Sequence, residues 1–262
     1  MIRFPAFLLL LLLFGCAPLP QSPAEEVVQR QTIGGVLTAD TVLDGNYLLE
    51  TDLQVPAGMT LTIRPGSSIL VPVSDSTKID PEYLSKEIEI LIRGRLLAQG
   101  TEQRPIRFTV AGNDNSQLWA GLQFVGSAGS RLEHLQIEQA ETGVLCLDSS
   151  PQLRHVKILR SRYGILLQQH SQPQISDSQL SDGEAGLFCW DQSAPLLERS
   201  IISGNQEEGI YLSRGCAAEL RENLIKKNDR GVVLPVGVSV ASSNLIFDNR
   251  QNLQTYPLEG AE

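Results

Sequence analysis

Gly143-Val144-Leu145-Cys146, Gly164-Ile165-Leu166-Leu167, Gly186-Leu187-Phe188-Cys189, Gly209-Ile210-Tyr211-Leu212 and Gly231-Val232-Val233-Leu234 are five settings of one phrase. Gly121-Leu122-Gln123-Phe124 is a sixth. The glycine returns every 21 to 23 residues, an apolar residue follows it at once, and a second apolar residue or cysteine stands two positions further on. A fixed period of this length marks a solenoid, in which one supersecondary unit repeats and stacks on its neighbours.

The rest of each repeat is as regular. Leu132-Glu133-His134-Leu135-Gln136-Ile137 aligns with Leu153-Arg154-His155-Val156-Lys157-Ile158, then with Ile175-Ser176-Asp177-Ser178-Gln179-Leu180 and its successors. Short alternating runs broken by Gly, Asn and Ser are the text of strands and turns. A helical repeat needs apolar residues at three-and-four spacing over ten or more positions, and none is present. Each unit is also too short for a propeller blade of about 40 residues. The reading is therefore all-β, a right-handed parallel β-helix with coils of about 22 residues, each adding one strand to each sheet. Ile137, Ile158, Leu180, Ile202, Ile225 and Ile246 are expected to stack inside. Asn205, Asn228 and Asn249 are expected to bond to one another along the axis at a turn.

From Gly34 to Leu118 the text is less periodic but of the same kind. Val55-Pro56-Ala57-Gly58-Met59-Thr60-Leu61-Thr62-Ile63-Arg64-Pro65-Gly66 is followed by Gly94-Arg95-Leu96-Leu97-Ala98-Gln99-Gly100-Thr101 and then Trp119-Ala120-Gly121-Leu122. These stretches resemble the opening of bacterial right-handed parallel β-helix repeat proteins of the pectin-lyase-like fold. The resemblance covers roughly residues 34–250. It implies a fold and no single activity, because that family includes enzymes, binding modules and structural members. The polar run from Ser74 to Ser85 reads as a protruding loop, and 251–262 as a C-terminal tail or cap.

The N-terminus reads as a leader. Arg3 precedes an apolar run from Phe4 to Phe14, which has the length of a signal h-region and falls short of a membrane span. Leu13-Phe14-Gly15-Cys16 resembles the lipobox of bacterial lipoproteins, with Phe14 standing where a small residue is usual. The resemblance implies a signal peptide over 1–15 and lipidation of Cys16, which would anchor the chain in a membrane. Ala17 in place of Asp resembles an outer-membrane address. The alternative is an ordinary secretory leader cleaved nearby, with Cys16 incidental. Residues 16–33, with Pro18, Pro20 and Pro23, read as a tether.

The formal net charge of −9, with no basic run, excludes nucleic acid as an expected partner. No cofactor is expected. Alternation along each strand turns the second and fourth residues after the glycine outward. That gives an apolar outer column of Leu145, Leu166, Phe188, Tyr211 and Val233, with Trp190 beside it. A contiguous apolar strip marks an interaction surface, here for a polysaccharide or an envelope protein, unless a loop, the N-terminal segment or a second subunit covers it. Phe188, Trp190, Tyr211, Leu145 and Leu166 are the candidate ligand-binding residues. The same strip carries no charged residue, whereas pectin-lyase-like enzymes cluster carboxylates on an outer face, so the reading is non-catalytic. A lyase, hydrolase or epimerase of that type, with Asp148 and Asp191 at the strip's edge, is the alternative. His134, His155 and Asp177 share one outward position on successive coils; a mixed polar ladder is the simpler reading, a metal site the weaker one. Cys146 and Cys189 occupy one inward column about 9.6 Å apart, too far for a disulfide, and read as small core residues, with Cys216 left open.

Overall fold

A computed structural model describes residues 29–72, 85–112 and 117–257. The leader with Cys16, most of the tether, all but the last residue of the loop expected over Ser74–Ser85, and the end of the tail lie outside the described residues.

Among the described residues there are 24 strands and no helix. The chain winds as a parallel β-helix around three faces. The first face stacks Gly121–Val125, Thr142–Leu147, Tyr163–Gln168, Ala185–Cys189, Glu208–Leu212, Arg230–Pro235 and Gln251–Tyr256 in that order. The N-terminal coils continue it through Glu89–Ile92 and the second half of Asn46–Val55. The second face runs from Thr41–Leu43 to Glu219–Arg221, and the third from the start of Gln31–Val36 to Leu245–Phe247. The rod thus starts before residue 34, and the segment read as a tail adds one more rung through Tyr256.

Between the second and third faces the chain bends, inside one strand in two coils and between two short strands in the coils that follow. His134, His155, Asp177, Arg199 and Glu222 make that bend with φ between 46° and 53°. A left-handed backbone costs a non-glycine residue on the order of 1 kcal/mol, so each bend needs something that holds it. Buried hydroxyl and amide ladders at the corners do so. Asn205 Nδ2 donates to Asn228 Oδ1 at 2.9 Å, and Asn228 Nδ2 donates to Asn249 Oδ1 at 2.9 Å, as the spacing predicts. Two further ladders stand at the other corners. In one, the amides of Ser127, Ser149 and Ser171 donate to the hydroxyls of Ser149, Ser171 and Ser193. In the other, the Ser178 and Ser200 amides donate to Ser200 and Asn223, and Asn223 Nδ2 donates to Asn244.

The repeating glycines have a steric cause. A Cβ on Gly164, Gly186 or Gly209 would lie 2.4–2.6 Å from the carbonyl oxygen of the next coil's glycine. Of the six, only Gly121 has a positive φ. The residue after each glycine is fully interior: Leu122, Val144, Ile165, Leu187, Ile210 and Val232 are at most 1% exposed. Each such burial contributes roughly 1.5–3 kcal/mol.

One pairing corrects the sequence reading. Cys189 is not a lone core residue; it is bonded to Cys216, with 5.9 Å between their Cα atoms. Comparing cysteines within one column misses it, because Cys216 lies on the corner of the adjacent coil, one rung away. Cys146 remains free and buried, and burial pushes its thiol well above the ordinary range. The disulfide closes a loop with a sequence separation of 27. Cys216→Ser should lower the unfolding free energy by roughly 3 kcal/mol on a chain-entropy account. Denaturant melts with and without reductant check this: reductant should bring the parent down to the variant and leave the variant unchanged.

Candidate ligand-binding face

The outward side of the first face carries three columns, one at the start of each strand, one in the middle and one at the end. The middle column is Leu91, Gln123, Leu145, Leu166, Phe188, Tyr211, Val233 and Gln254, joined rung to rung. Its N-terminal part is buried: Leu91 is 4% exposed, Gln123 2% and Leu145 8%. Leu145 is therefore not presented to a ligand, contrary to the sequence reading. Alternation fixes the direction of a side chain and says nothing about what lies over it. Val233 is buried as well.

Between those buried stretches the column opens into an aromatic cluster. Phe188 and Tyr211 stack with centroids 5.1 Å apart, and Trp190 stacks on Tyr211 at 5.4 Å. Tyr256, from the last rung, stacks on Tyr211 at 5.8 Å, and its hydroxyl donates to the Leu212 carbonyl at 2.9 Å. Desolvation, reinforced by hydrogen bonding to Tyr211, pushes the Tyr256 hydroxyl up to about 12. Tyr163 meets Phe188 edge-on at 5.3 Å, while Leu166, one rung before Phe188, is half-buried beside it. Trp190 is the most open of the rings, 38% exposed. Phe188, Trp190, Tyr211 and Leu166 are thus brought together as expected. Tyr163 and Tyr256 join them without having been singled out.

The middle strip itself carries no charged residue, but charge stands in the column beside it. The column at the strand starts runs Tyr163, Ala185, Glu208, Arg230, directly beside the aromatic rings. Glu208 is 5% exposed and forms an ion pair with Arg230 at 2.7 Å. Burial raises its carboxyl above the usual carboxylate range, and Arg230 offsets part of that. Glu208 Oε2 and Arg230 Nε are both buried without a hydrogen-bond partner. Next to this pair, Arg162 lies over the Tyr163 ring at 5.0 Å and contacts Glu184 at 2.9 Å. A period-22 comparison of the residue just before each glycine would have exposed Tyr163, Glu208 and Arg230.

The other candidates are placed elsewhere. Asp148 and Asp191 are exposed corner residues with φ of 45° and 48°. His134 and His155 stack ring on ring, 4.6 Å between centroids, on the corner between the second and third faces. Asp177, next in that column, is held by both Arg199 nitrogens at 3.0 and 3.1 Å, which keeps its carboxyl below the usual range. Among the described residues no three His, Cys, Asp or Glu side chains are grouped to hold a metal ion. His170 turns a corner and bonds Gln192 at 3.0 Å.

Two family comparisons bear on this geometry. Residues 106–259, more than half of the chain, match the family described as periplasmic copper-binding protein (NosD). The chain belongs to the NosD family. Residues 35–158 match a second description, the pectate-lyase-like β-helix domain, which covers the N-terminal coils. No curated protein matches the chain. The NosD match brackets the whole aromatic cluster, from Tyr163 to Tyr256, and its description as periplasmic accords with an envelope location. A disulfide between adjacent coils accords with an oxidising compartment of that kind.

Proposed function

We propose that this NosD-family chain is a non-catalytic envelope protein, held on the outer membrane by a lipid on Cys16, and that its first β-helix face binds a polysaccharide. The aromatic cluster carries the reading. Five rings, from Tyr163, Phe188, Trp190, Tyr211 and Tyr256, converge on a rigid sheet within a few rungs. A rigid apolar platform suits the C–H face of a sugar ring, because little side-chain freedom is lost on binding. Lipid anchoring at Cys16 rests on the resemblance of Leu13-Phe14-Gly15-Cys16 to a lipobox. It is checked by labelling with a fatty-acid analogue, which Cys16→Ser should abolish.

Copper binding, named in the family description, is not extended to this chain. Cys189 and Cys216 are consumed in a disulfide, Cys146 is sealed in the core, and Asp177 is turned to Arg199. A lyase or hydrolase reading is the weaker one, since Asp148 and Asp191 stand on the corner, Glu184 is turned to Arg162 and Glu208 to Arg230.

The test is retention of the full chain in native gels containing dextran, laminarin or xyloglucan, with reducing ends assayed in parallel. Trp190→Ala should weaken retention roughly tenfold or more. Retention that the substitution leaves untouched removes the aromatic cluster from the site, and release of reducing ends overturns the non-catalytic reading.

A further inference from the structure

We infer that the Glu208–Arg230 pair is the polar anchor of this face and that it selects a neutral, hydroxyl-rich glycan over an anionic one. The inference rests on the polysaccharide-binding reading above and makes it specific.

The pair is unusual in what it leaves undone. Its one close contact joins Arg230 Nη2 to Glu208 Oε1 at 2.7 Å. Glu208 Oε2 has no hydrogen-bond donor, and Arg230 Nε has no acceptor within hydrogen-bond distance, Asp229 Oδ2 standing off at 3.8 Å. A buried acceptor or donor without a partner is costly, and most buried polar groups in folded proteins are satisfied. Here one lone acceptor and one lone donor belong to a single ion pair in the column that Tyr163 shares, on the face that carries the aromatic cluster. A hydroxyl both donates and accepts, so two neighbouring hydroxyls of a pyranose answer both groups at once. A carboxylate, sulfate or phosphate answers only Arg230 and meets Glu208 as a like charge.

The surroundings press the same way. Around the pair, Glu141, Glu184, Glu207, Glu208 and Asp229 outnumber Arg162, Arg230 and Arg250. The chain as a whole carries −9. An anionic polymer would approach against that field. An extended peptide is the less suitable occupant, because peptides recognise sheets through free backbone edges. On this face the strands around Glu208 are already paired on both sides.

The column also shows why the anchor is reachable. Ala185 separates Tyr163 from Glu208, so a methyl group stands where a longer side chain would close the column. Arg230 is the open member, with 28% of its side chain exposed against 7% for Glu208. Arg230 is thus the member that a ligand on this face meets first, and because both unpartnered atoms are themselves buried, a ligand engages them only with a turn of the side chains.

The experiment compares the full-length parent with Trp190→Ala, Glu208→Gln and Arg230→Lys on dextran, laminarin, xyloglucan and anionic polygalacturonate. Arg230→Lys keeps the positive charge and removes the Nε donor, so it reads the anchor even where Glu208→Gln loosens the fold. The expected result is parent retention on at least one neutral polymer and none on polygalacturonate. Glu208→Gln and Arg230→Lys should each weaken that retention about tenfold or more. Retention lost in Trp190→Ala but unchanged in both anchor variants overturns this inference and leaves the aromatic platform standing. Stronger retention on polygalacturonate overturns the neutral preference. No retention of the parent on any polymer overturns the binding reading itself, and the inference with it.

Discussion

Gly186→Ala should cost the fold about 3 kcal/mol, and Gly186→Val more than about 4 kcal/mol. The reason is backbone, so it cannot relax as a side-chain clash does. A Cβ on Gly186 would sit 2.5 Å from the Gly209 carbonyl oxygen and 2.7 Å from Ile202 Cγ2. The Gly209 oxygen belongs to the next coil, and moving it lifts that coil off the ladder between Ala185–Cys189 and Glu208–Leu212. For a domain of this size each kcal/mol moves Tm by about 2–4 °C, so the alanine variant should melt about 6–12 °C lower. Substituting Gly237 gives the contrast. Nothing lies within 4 Å of a Cβ there, and the penalty comes only from its φ of 89°. Equal melting of the Gly186 and Gly237 alanine variants would show that the close approach at Gly186 costs no more than the left-handed φ at Gly237.

That column was legible in the sequence because its cause repeats on every coil. Any side chain there meets a backbone carbonyl of the next coil, so the same residue type recurs at the same interval, and period alone reveals it. The cause itself was not legible, since nothing in a one-dimensional repeat says that the neighbour is a carbonyl oxygen. The Asn205–Asn228–Asn249 ladder could be read for the same reason as the column. The Ser127–Ser149–Ser171–Ser193 ladder could not, although its spacing is as regular, because serine is common in every turn and stands out in none.

The site was only half legible. Phe188, Trp190 and Tyr211 declared themselves as large rings at outward positions. Leu145 declared itself in the same way and proved buried, because burial of an outward residue depends on what crosses over it. Glu208 failed in the opposite direction. In the run Gln206-Glu207-Glu208 it reads as a solvated turn charge, yet it is 5% exposed while Glu207 remains open. Its neighbours in space, Tyr163 and Arg230, come from other coils. Cys189–Cys216 failed through register: the column comparison that locates core residues looks straight up the axis, whereas the bond runs from a strand to the adjacent coil's corner.

Asn228→Ala should destabilise the rod by about 4 kcal/mol, the effect being the sum of groups stranded around it. Asn228 Oδ1 accepts from both the backbone and the side chain of Asn205, at 3.0 and 2.9 Å. Its Nδ2 donates to the Ile202 carbonyl at 3.1 Å and to Asn249 Oδ1 at 2.9 Å. Truncation leaves the buried Asn205 backbone amide without its acceptor, at about 1–3 kcal/mol, removes the further bonds to Asn205 Nδ2, the Ile202 carbonyl and Asn249 Oδ1, and opens a void besides. Asn228→Ser should recover part of the loss, because serine hydroxyls serve as backbone acceptors in the neighbouring ladders. The amide is also coupled to the glycines. A Cβ on Gly209 would lie 2.8 Å from Asn228 Nδ2 as well as 2.6 Å from the Gly231 oxygen. Gly209→Ala should therefore cost less in the Asn228→Ala background than in the parent, while still costing something against the carbonyl. A double-mutant cycle on denaturant melts measures the difference. Strict additivity would mean that ladder and glycine column were separate devices, and a coupling of about 1 kcal/mol would mean that the glycine makes room for the amide as well as for the next coil's backbone.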